Sequence, residues 1–467
     1  MTSFATKTEL MPHQVDAVNK LLPTRISGLF ADMGTGKTRI VTELIHHRQN
    51  RVSKVVYFCP VSLKETVRQE IAKHTTLEDV YVFDDKTSTR HLPKASWYIV
   101  GIESMSSSAR VICAVNQLVD SNTYAIVDES SYIKGHRALR TERITRICEH
   151  AKYRTIMTGT PLSQGVVDLY AQLRFLSPKI LGYNSFYSFA TNHLEYSDKF
   201  PGMIVRAHNT KYIAAKIKPY VYQITKEECL NLPAKLYETR YCSLTGSQHY
   251  HYNKVKEEIL DETDLEKWDS VAIFRLFTAL QEIASGFLHW KGKDYVFDCE
   301  RPQLLIDTIH DINPNEKVIV FCKFQYDMDT ICSKLSKEFG EDSVSKFDGR
   351  DNERKRQKAV DKFRSESRFL VVTQATGGHG FNFQELAHYV IFYNNGFKYS
   401  EREQAEDRVH RIGQTKRPVY IDLYCTSSID ERIAIALSRK ASVVAEFRQD
   451  MEKAKTKRSK RHLIKSL

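Results

Sequence analysis

Several features that would point directly to a function are missing from this sequence of 467 residues. Its nine cysteines are scattered and never form a Cys-x-x-Cys pair, which argues against a disulfide framework and against structural zinc. No apolar run approaches the length of a membrane span, and the first residues lack the pattern of a signal peptide. Low-complexity segments and short-period repeats are also missing. We therefore expect a protein of a reducing compartment, cytoplasmic or nuclear, with no secretion signal and no membrane partner.

The composition is that of a globular, basic protein. Hydrophobic residues make up 42% of the chain, and its length suffices for two or three domains that each bury a core. The formal net charge of +12 favours an anionic partner such as nucleic acid. Half of this excess lies in residues 451–467, where seven Lys and Arg face one acid. This tail is interpreted either as a solvated, frayed segment or as a weak nucleic-acid-binding arm.

A glycine-punctuated loop follows a short apolar run near the start of the chain. Residues 28–38 read Gly-Leu-Phe-Ala-Asp-Met-Gly-Thr-Gly-Lys-Thr, and residues 39–45 have helical character. This pattern is typical of a P-loop, although Ala31 replaces its first glycine. In such a loop the backbone N–H groups converge on phosphate oxygens, Lys37 reaches the β- and γ-phosphates, and Thr38 holds Mg²⁺. The sequence therefore predicts a nucleotide site formed by Gly34, Thr35, Gly36, Lys37 and Thr38.

Apolar strands alternate with helical segments along most of the chain. The predicted strands cover residues 54–60, 80–83, 97–101, 124–129 and 154–160, and then residues 317–321, 344–349, 369–373, 389–393 and 419–423. Such alternation predicts two α/β domains, each with a parallel sheet covered by helices. Residues 177–301 break the rhythm with mostly helical spacing and are predicted to form an insertion and linker. The second α/β domain has no P-loop, as expected if it completes a nucleotide site held by the first.

Two acids follow a predicted buried strand of the first domain. Asp128 and Glu129 come directly after an apolar run, and ligands in open α/β sheets bind beyond the carboxyl ends of strands. We expect Asp128 to position Mg²⁺ and Glu129 to orient or deprotonate the attacking water. Taken alone, the two acids are equally typical of a helix N-terminus. A further strand ends in residues 158–161, Thr-Gly-Thr-Pro, whose hydroxyl groups are suited to sensing the γ-phosphate.

A charged segment far downstream carries two arginines three residues apart. Arg408 and Arg411 would project from one face of a helix, and from a second domain they would stabilise charge on the γ-phosphate. A solvated basic helical face is the alternative interpretation.

In their order and residue sequences, these segments resemble the motifs of the SWI/SNF-like family of superfamily 2 helicase-related ATPases. The resemblance extends from residue 10 to about residue 432. The most specific match is at residues 404–414, Gln-Ala-Glu-Asp-Arg-Val-His-Arg-Ile-Gly-Gln, because Arg-Ile-Gly-Gln after the arginine pair is a feature of this family. Other matching segments are residues 32–38, 59–63, 128–135, 158–162, 232–235, 347–349 and 377–382. Gln14 corresponds to the adenine-sensing glutamine of the family, and Gly380 lies in a second-lobe motif that faces nucleotide or nucleic acid.

The resemblance implies two tandem RecA-like lobes of α/β fold with a mostly helical insertion between them. We assign residues 1–228 to lobe 1, with the insertion beginning near residue 177, residues 229–300 to a helical linker, residues 301–450 to lobe 2 and residues 451–467 to a basic tail. ATP and Mg²⁺ are expected between the lobes, and double-stranded DNA, held by its backbone without sequence specificity, across both. The catalytic residues are then Lys37, Glu129, Arg408 and Arg411, the Mg²⁺ ligands Thr38 and Asp128, and the nucleotide contacts Gln14, Gly34, Thr35, Gly36, Lys37, Thr38 and Gly380.

Two departures from the family pattern keep alternatives open. Residues 128–131 read Asp-Glu-Ser-Ser where the family usually has Asp-Glu-Ala-His, so a histidine that helps to couple hydrolysis to the second lobe is missing. The insertions are short, which is typical of compact viral, phage or bacterial members and, for a viral protein, implies the host cytoplasm or nucleus. We expect a DNA-dependent ATPase that translocates on duplex DNA. The alternatives are a strand-separating DNA or RNA helicase and a nucleotide-gated DNA-binding scaffold with a vestigial ATPase.

Overall fold

The computed structural model divides the chain into two compact units, Met1–Asn231 and Leu232–Leu467. It describes residues 1–159, 161–162, 165–196, 204–262, 270–351, 353–377, 383–440, 442–454 and 456–467. Two sequence predictions lie outside these residues, namely Gly380 and the Thr160 of the segment after the acid box. No helix within the described ranges is long and apolar enough to cross a membrane.

The first unit is built on a parallel sheet. Its described strands are β1 (Ile26–Ala31), β2 (Lys54–Cys59), β3 (Val80–Val82), β4 (Trp97–Gly101), β5 (Thr123–Asp128), β6 (Tyr153–Thr158), β7 (Leu194–Tyr196), β8 (Ile204–Ala207) and β9 (Val221–Ile224). Seven of them pair in parallel in the order β3-β4-β2-β5-β6-β1-β9, while β7 and β8 form a separate antiparallel hairpin. The helices are α1 (Pro12–Leu21), α2 (Lys37–His46), α3 (Lys64–His74), α4 (Ser104–Ser107), α5 (Ala109–Leu118), α6 (Leu139–Ile147), α7 (Val167–Leu176), α8 (Phe186–His193), α9 (Thr210–Ile217) and α10 (Lys226–Cys229).

Both faces of this first sheet are buried. Val56 and Phe58 of β2 contribute to the core on one face, and Val55, Tyr57 and Cys59 contribute to the core on the other. Because successive side chains of a strand point to opposite faces, a strand buried on both sides is a continuous apolar run, as the sequence of β2 is. The parallel pairing places the carboxyl ends of β1, β2, β5 and β6 at one edge, where the P-loop and the acid box begin.

The second unit repeats this architecture with a different strand order. Its described strands are β10 (Leu236–Ser243), β11 (Phe287–Trp290), β12 (Lys293–Val296), β13 (Val318–Cys322), β14 (Val344–Phe347), β15 (Phe369–Thr373), β16 (Tyr389–Phe392) and β17 (Val419–Thr426). Six pair in parallel in the order β10-β17-β16-β13-β15-β14, and β11 and β12 form a hairpin. The helices are α11 (Gly246–Glu262), α12 (Ser270–Ala284), α13 (Arg301–His310), α14 (Gln325–Phe339), α15 (Glu353–Ser365), α16 (Gln374–Gly377), α17 (Tyr399–Glu406), α18 (Ile429–Ser438), α19 (Val443–Lys453) and α20 (Lys457–Lys465).

A helical layer is packed into the second unit. Phe277 of α12, Ile429 of α18, Phe447 of α19 and Ile464 of α20 belong to one apolar cluster and are fully buried. Burying side chains of this size contributes roughly 2 kcal/mol each. Helices α11 and α12 are therefore part of the second unit.

The predicted fold class, two parallel-sheet α/β lobes with a mostly helical region between them, is confirmed. The structure differs in detail, because that region also supplies β9 and β10, the edge strands of the two sheets. The predicted linker covers residues 229–300, and its residues from 232 onward fall in the second unit. In the predicted basic tail, α20 packs against α11, where Tyr252 donates a hydrogen bond to the Leu467 carbonyl at 3.0 Å, so this segment is not frayed.

Candidate nucleotide site

The loop between β1 and α2 has the backbone of a phosphate-binding turn. Gly34 and Gly36 both have φ near +80°, in the left-handed region that favours glycine. At Gly36 space adds a second constraint, because a Cβ atom there would lie 2.2 Å from Nε2 of Gln14. Helix α2 begins at Lys37, so its first N–H groups point toward the loop.

Two buried side chains of α1 hold this loop in place. A ring nitrogen of His13 lies 2.9 Å from the Thr35 carbonyl oxygen, and Nε2 of Gln14 donates to the same oxygen at 3.1 Å. The backbone N–H of Met11 donates to Oε1 of Gln14 at 3.0 Å, which fixes the orientation of the amide. The predicted adenine contact, Gln14, therefore also supports the loop backbone, together with His13.

Lys37 lies inside the curve of the loop. Its Nζ donates to the carbonyl oxygen of Ala31 at 2.8 Å and to that of Asp32 at 3.3 Å. Backbone carbonyl oxygens therefore hold the ammonium group of Lys37 within the loop that the sequence predicts to bind phosphate.

The first carboxylate of the acid box is half-buried at the end of β5. Tyr57 of the adjacent strand β2 donates to Oδ2 of Asp128 at 3.0 Å, and the Glu129 N–H donates to Oδ1 at 2.9 Å. Loss of hydration raises the pKa of Asp128 to about 6, although the positive charge of Lys37 opposes the rise. Burial, reinforced by the charge of Asp128, raises the pKa of Tyr57 well above its ordinary value, while a hydrogen bond with Thr38 acts in the opposite sense. Tyr57 therefore stays protonated and connects Asp128 with Thr38.

The second carboxylate has an unusual backbone. Glu129 has φ +50° and ψ +58°, a left-handed conformation that costs a non-glycine residue roughly 1–2 kcal/mol. Its side chain is buried and accepts two hydrogen bonds on Oε1, from Thr158 at 2.8 Å and from Ser131 at 2.9 Å. The left-handed backbone at Glu129 ends the extended conformation of β5, and the two hydrogen bonds fix the position of its carboxylate.

The first serine after the acids forms a second set of contacts. Ser130 is fully buried and donates to Oε1 of Gln172 in α7 at 2.6 Å. Nε2 of Gln172 in turn donates to the carbonyl oxygens of Pro161 at 3.1 Å and Asp168 at 2.8 Å. The acid box is thereby connected to the segment that follows β6 by serine and glutamine side chains.

The arginine segment of the second unit differs from the prediction. Helix α17 ends at Glu406, so Arg408 and Arg411 lie in the turns that follow and do not share a helix face; that prediction is wrong. The Glu406 carbonyl accepts a hydrogen bond from the Tyr420 hydroxyl at 3.0 Å, and Gly413 has φ +99°. The N–H groups of Arg408 and Val409 donate to the carbonyl oxygens of Ala405 at 3.3 Å and Glu406 at 3.0 Å, and such bonds between residues three apart are those of turns.

Glu406 is the centre of a buried ionic cluster in the second unit. Its Oε2 accepts from Nζ of Lys235 at 2.7 Å and from the Tyr237 hydroxyl at 2.8 Å, and its Oε1 accepts from Nε of Arg402 at 2.8 Å. Arg402 also forms an ion pair with Asp422 of β17. These contacts fasten the end of α17, and with it the arginine segment, to strands β10 and β17.

Comparison with protein families identifies the chain. The SNF2-related domain family matches residues 13–285, more than half of the chain, and the helicase conserved C-terminal domain matches residues 300–413. The chain belongs to the SNF2-related family. The resemblance stated from the sequence motifs is confirmed.

Other SNF2-related proteins are distant in sequence and longer. An uncharacterized ATP-dependent helicase of Mycoplasma genitalium is 24% identical over 91% of this chain and 41% of its own length. The ATP-dependent helicase fft1 of Schizosaccharomyces pombe is 25% identical, and the match covers all of this chain and 56% of that protein. The human DNA annealing helicase and endonuclease ZRANB3 is 24% identical over 94% of this chain and 40% of its own length. The chain thus spans about half the length of these relatives. The SWI2/SNF2 ATPase core of Sulfolobus solfataricus in complex with double-stranded DNA is 22% identical, covers 94% of this chain and 93% of its own, and superimposes with a TM-score of 0.44.

The residues of this SNF2-related chain fit a nucleotide with Mg²⁺. The first unit brings together Gln14, Gly34, Thr35, Gly36, Lys37, Thr38, Asp128 and Glu129 at one edge of its sheet. A hydroxyl and a carboxylate near each other are oxygen ligands of the kind that Mg²⁺ prefers. Arg408 and Arg411 belong to the second unit.

Sequence reasoning missed the residues that support these groups: His13, Tyr57, Ser131 and Gln172. Only Tyr57 carried a signal, because a phenol inside an otherwise apolar strand needs a hydrogen-bond partner when buried.

Proposed function

We propose that this SNF2-related chain is the motor core of an ATP-driven translocase that moves along double-stranded DNA without sequence specificity. The observation that carries the proposal is the acid box, where Glu129 is turned toward Thr158 and Ser131 beside a P-loop whose lysine is in place. Two hydrogen-bond donors that hold a glutamate in a strained backbone conformation favour a functional ATPase site over a vestigial one.

Within this proposal each residue of the first unit has a chemical role in ATP hydrolysis. The N–H groups of residues 34–38 and the Lys37 ammonium bind and orient the phosphates. Thr38 and Asp128 hold Mg²⁺, which neutralises phosphate charge when bound. Glu129 orients the attacking water and accepts its proton, since both donors that the described residues supply to its carboxylate, Thr158 and Ser131, bond to Oε1.

Arg408 and Arg411 supply the remaining positive charge in this scheme, stabilising negative charge that develops on the γ-phosphate. Their segment follows α17, whose last residue, Glu406, is held by Lys235 and Arg402. An Arg411→Ala variant should hydrolyse ATP roughly 1,000-fold more slowly, by the magnitude known for arginine fingers. The exposed Arg364→Ala, on α15, is a matched control that should change little.

The DNA contacts are proposed to be phosphate contacts. The net charge of +12 supports an anionic partner, and backbone contacts carry no sequence information. Binding to duplex DNA should then be independent of sequence and fall steeply as salt rises. The nine cysteines, none paired in a disulfide, suit a reducing compartment such as the cytoplasm or nucleus.

ATP turnover by the purified chain tests the proposal, alone and with duplex DNA, single-stranded DNA or RNA, beside Lys37→Ala. We expect strong stimulation by duplex DNA that is lost in the variant. Equal stimulation by single strands or RNA would favour a strand-separating helicase. No turnover under any of these conditions would favour the nucleotide-gated scaffold.

A further inference from the structure

A cavity of about 540 Å³ lies in the first unit, apart from the nucleotide site. It is an open pocket lined by α6 and the residues before it, the 3-10 turn after it, β6, α7 and the segment that leads into α8. Its volume is within the range of small-molecule pockets, roughly 300–1,000 Å³. None of its lining residues belongs to the P-loop or the acid box.

The lining of this cavity is rich in positive charge. Four arginines contribute to it, against two exposed glutamates at its rim: Arg137, Arg146, Arg154 and Arg174, with Glu142 and Glu149. No salt bridge joins these arginines to the glutamates within the described residues. Nη1 of Arg154 donates to the Phe175 carbonyl at 3.2 Å, and burial lowers the pKa of this arginine. The cavity therefore carries more positive than negative side chains, although the charge of Glu149 partly offsets that of Arg154.

Three polar atoms buried in the cavity wall lack a protein partner. They are Oγ1 of Thr141, Nε2 of His136 and Nε of Arg154, and no described residue forms a hydrogen bond with any of them. Thr141 as a whole is 4% exposed. Native proteins pair nearly all buried polar groups, so these three atoms call for an explanation, and a polar ligand in the adjoining cavity, bound after a small side-chain shift, is one.

An aromatic surface completes the pocket. The ring of His136 stacks on that of Phe186 with centroids 3.6 Å apart, and Tyr170 packs edge-on against Phe186 at 5.4 Å. Tyr187 stands at the rim with 65% of its surface exposed and hydrogen-bonds with Arg137. Rings beside guanidinium groups suit a ligand with a flat unsaturated part and an anionic part.

We propose that this cavity binds a nucleotide unit, with its phosphate on Arg146, Arg154 and Arg174 and its base against Phe186 and Tyr187. Guanidinium groups bind phosphate through paired N–H donors, and aromatic side chains stack on any base, so the pocket recognises the chemical class without reading sequence. The nucleotide is either free in solution or one unit of a nucleic-acid strand. This second site does not depend on the proposed motor function.

Equilibrium binding distinguishes the two sources. The full chain, with its P-loop saturated by a non-hydrolysable ATP analogue, is titrated with 5′-AMP, with a short thymidine oligonucleotide and with inorganic phosphate. The test variant is Arg146→Ala/Arg174→Ala, in which two exposed side chains are shortened. Its matched control, Arg51→Ala/Arg90→Ala, removes the same charge from exposed positions of the same unit outside the cavity. Thermal unfolding confirms that both variants are folded.

The expected result is that 5′-AMP or the oligonucleotide binds roughly tenfold or more weakly to the test variant, since hydrogen bonds between guanidinium and phosphate groups are lost. Affinity lost for 5′-AMP identifies a free nucleotide, and affinity lost for the oligonucleotide alone identifies a strand. Tyr187→Ala should weaken nucleotide binding and leave phosphate binding unchanged. The proposal is overturned if inorganic phosphate binds as tightly as both nucleotides, or if the test variant and its control behave alike.

Discussion

Glu129 shows how a single residue of the acid box is prepared for chemistry. Its backbone occupies the left-handed region, and its carboxylate is held by Thr158 and Ser131. Ser131 stands where the family usually has histidine, and here it donates directly to the carboxylate of Glu129. The serine that replaces the family's histidine is thus a hydrogen-bond donor to Glu129. The replacement was the main argument for a vestigial ATPase, and this contact weakens that argument.

Replacing Glu129 by Gln should lower ATP turnover about 100-fold or more and leave nucleotide binding intact, because the amide keeps the shape but accepts no proton. Ser131→Ala removes one of two donors and should lower turnover by roughly tenfold or less. Steady-state hydrolysis together with nucleotide binding separates these effects. Turnover of Glu129→Gln within threefold of the parent would show that this carboxylate is not the base.

A substitution at Tyr57 tests whether its hydroxyl supports the proposed Mg²⁺ ligands, Asp128 and Thr38. Tyr57→Phe keeps the buried ring and removes the hydroxyl that contacts Asp128 and Thr38. The loss of about 1 kcal/mol of hydrogen bonding should raise the Mg²⁺ concentration for half-maximal turnover roughly fivefold. Magnesium titration of the hydrolysis rate measures this shift. Tyr81→Phe, on an outer strand of the same sheet, is the matched control and should not shift it.

At the scale of elements, the arginine segment depends on the Glu406 cluster. In Glu406→Gln, Lys235 and Arg402 lose a buried counter-charge, which should destabilise the fold by about 3 kcal/mol. Urea unfolding of the full chain, followed by circular dichroism, should show a midpoint at lower urea. The exposed Glu341→Gln should leave the midpoint unchanged. Equal midpoints for Glu406→Gln and the parent would contradict the anchoring role.

The sequence indicated those elements whose signal is local. Central strands such as β2 and β13 are buried on both faces, so their continuous apolar runs predict strands directly. Gly34 and Gly36 likewise predict the backbone conformation of their loop. Strand β10 was missed because it is an edge strand in which exposed residues alternate with half-buried ones. The turns at Arg408 were missed because no glycine or proline between Gly396 and Gly413 marks the end of α17. Contacts made between distant segments leave no local pattern.

At the scale of the whole molecule, two α/β units divide the chemistry. The first holds the P-loop and the acid box, and the second holds the arginine segment on a cluster that joins α17 to two strands of its sheet. Within the described residues, neither unit alone holds all of the residues that the resemblance assigns to ATP hydrolysis. This division is why we propose a motor whose hydrolysis requires both units and whose cycle is coupled to movement on DNA.

Displacement of a third strand from triplex DNA tests translocation most directly, since a protein that moves along the duplex strips the third strand without opening the two beneath it. We predict displacement that requires ATP hydrolysis, is lost in Lys37→Ala and Glu129→Gln, and leaves a forked duplex unseparated. ATP turnover stimulated by duplex DNA without any triplex displacement, or separation of the forked strands, would contradict the account.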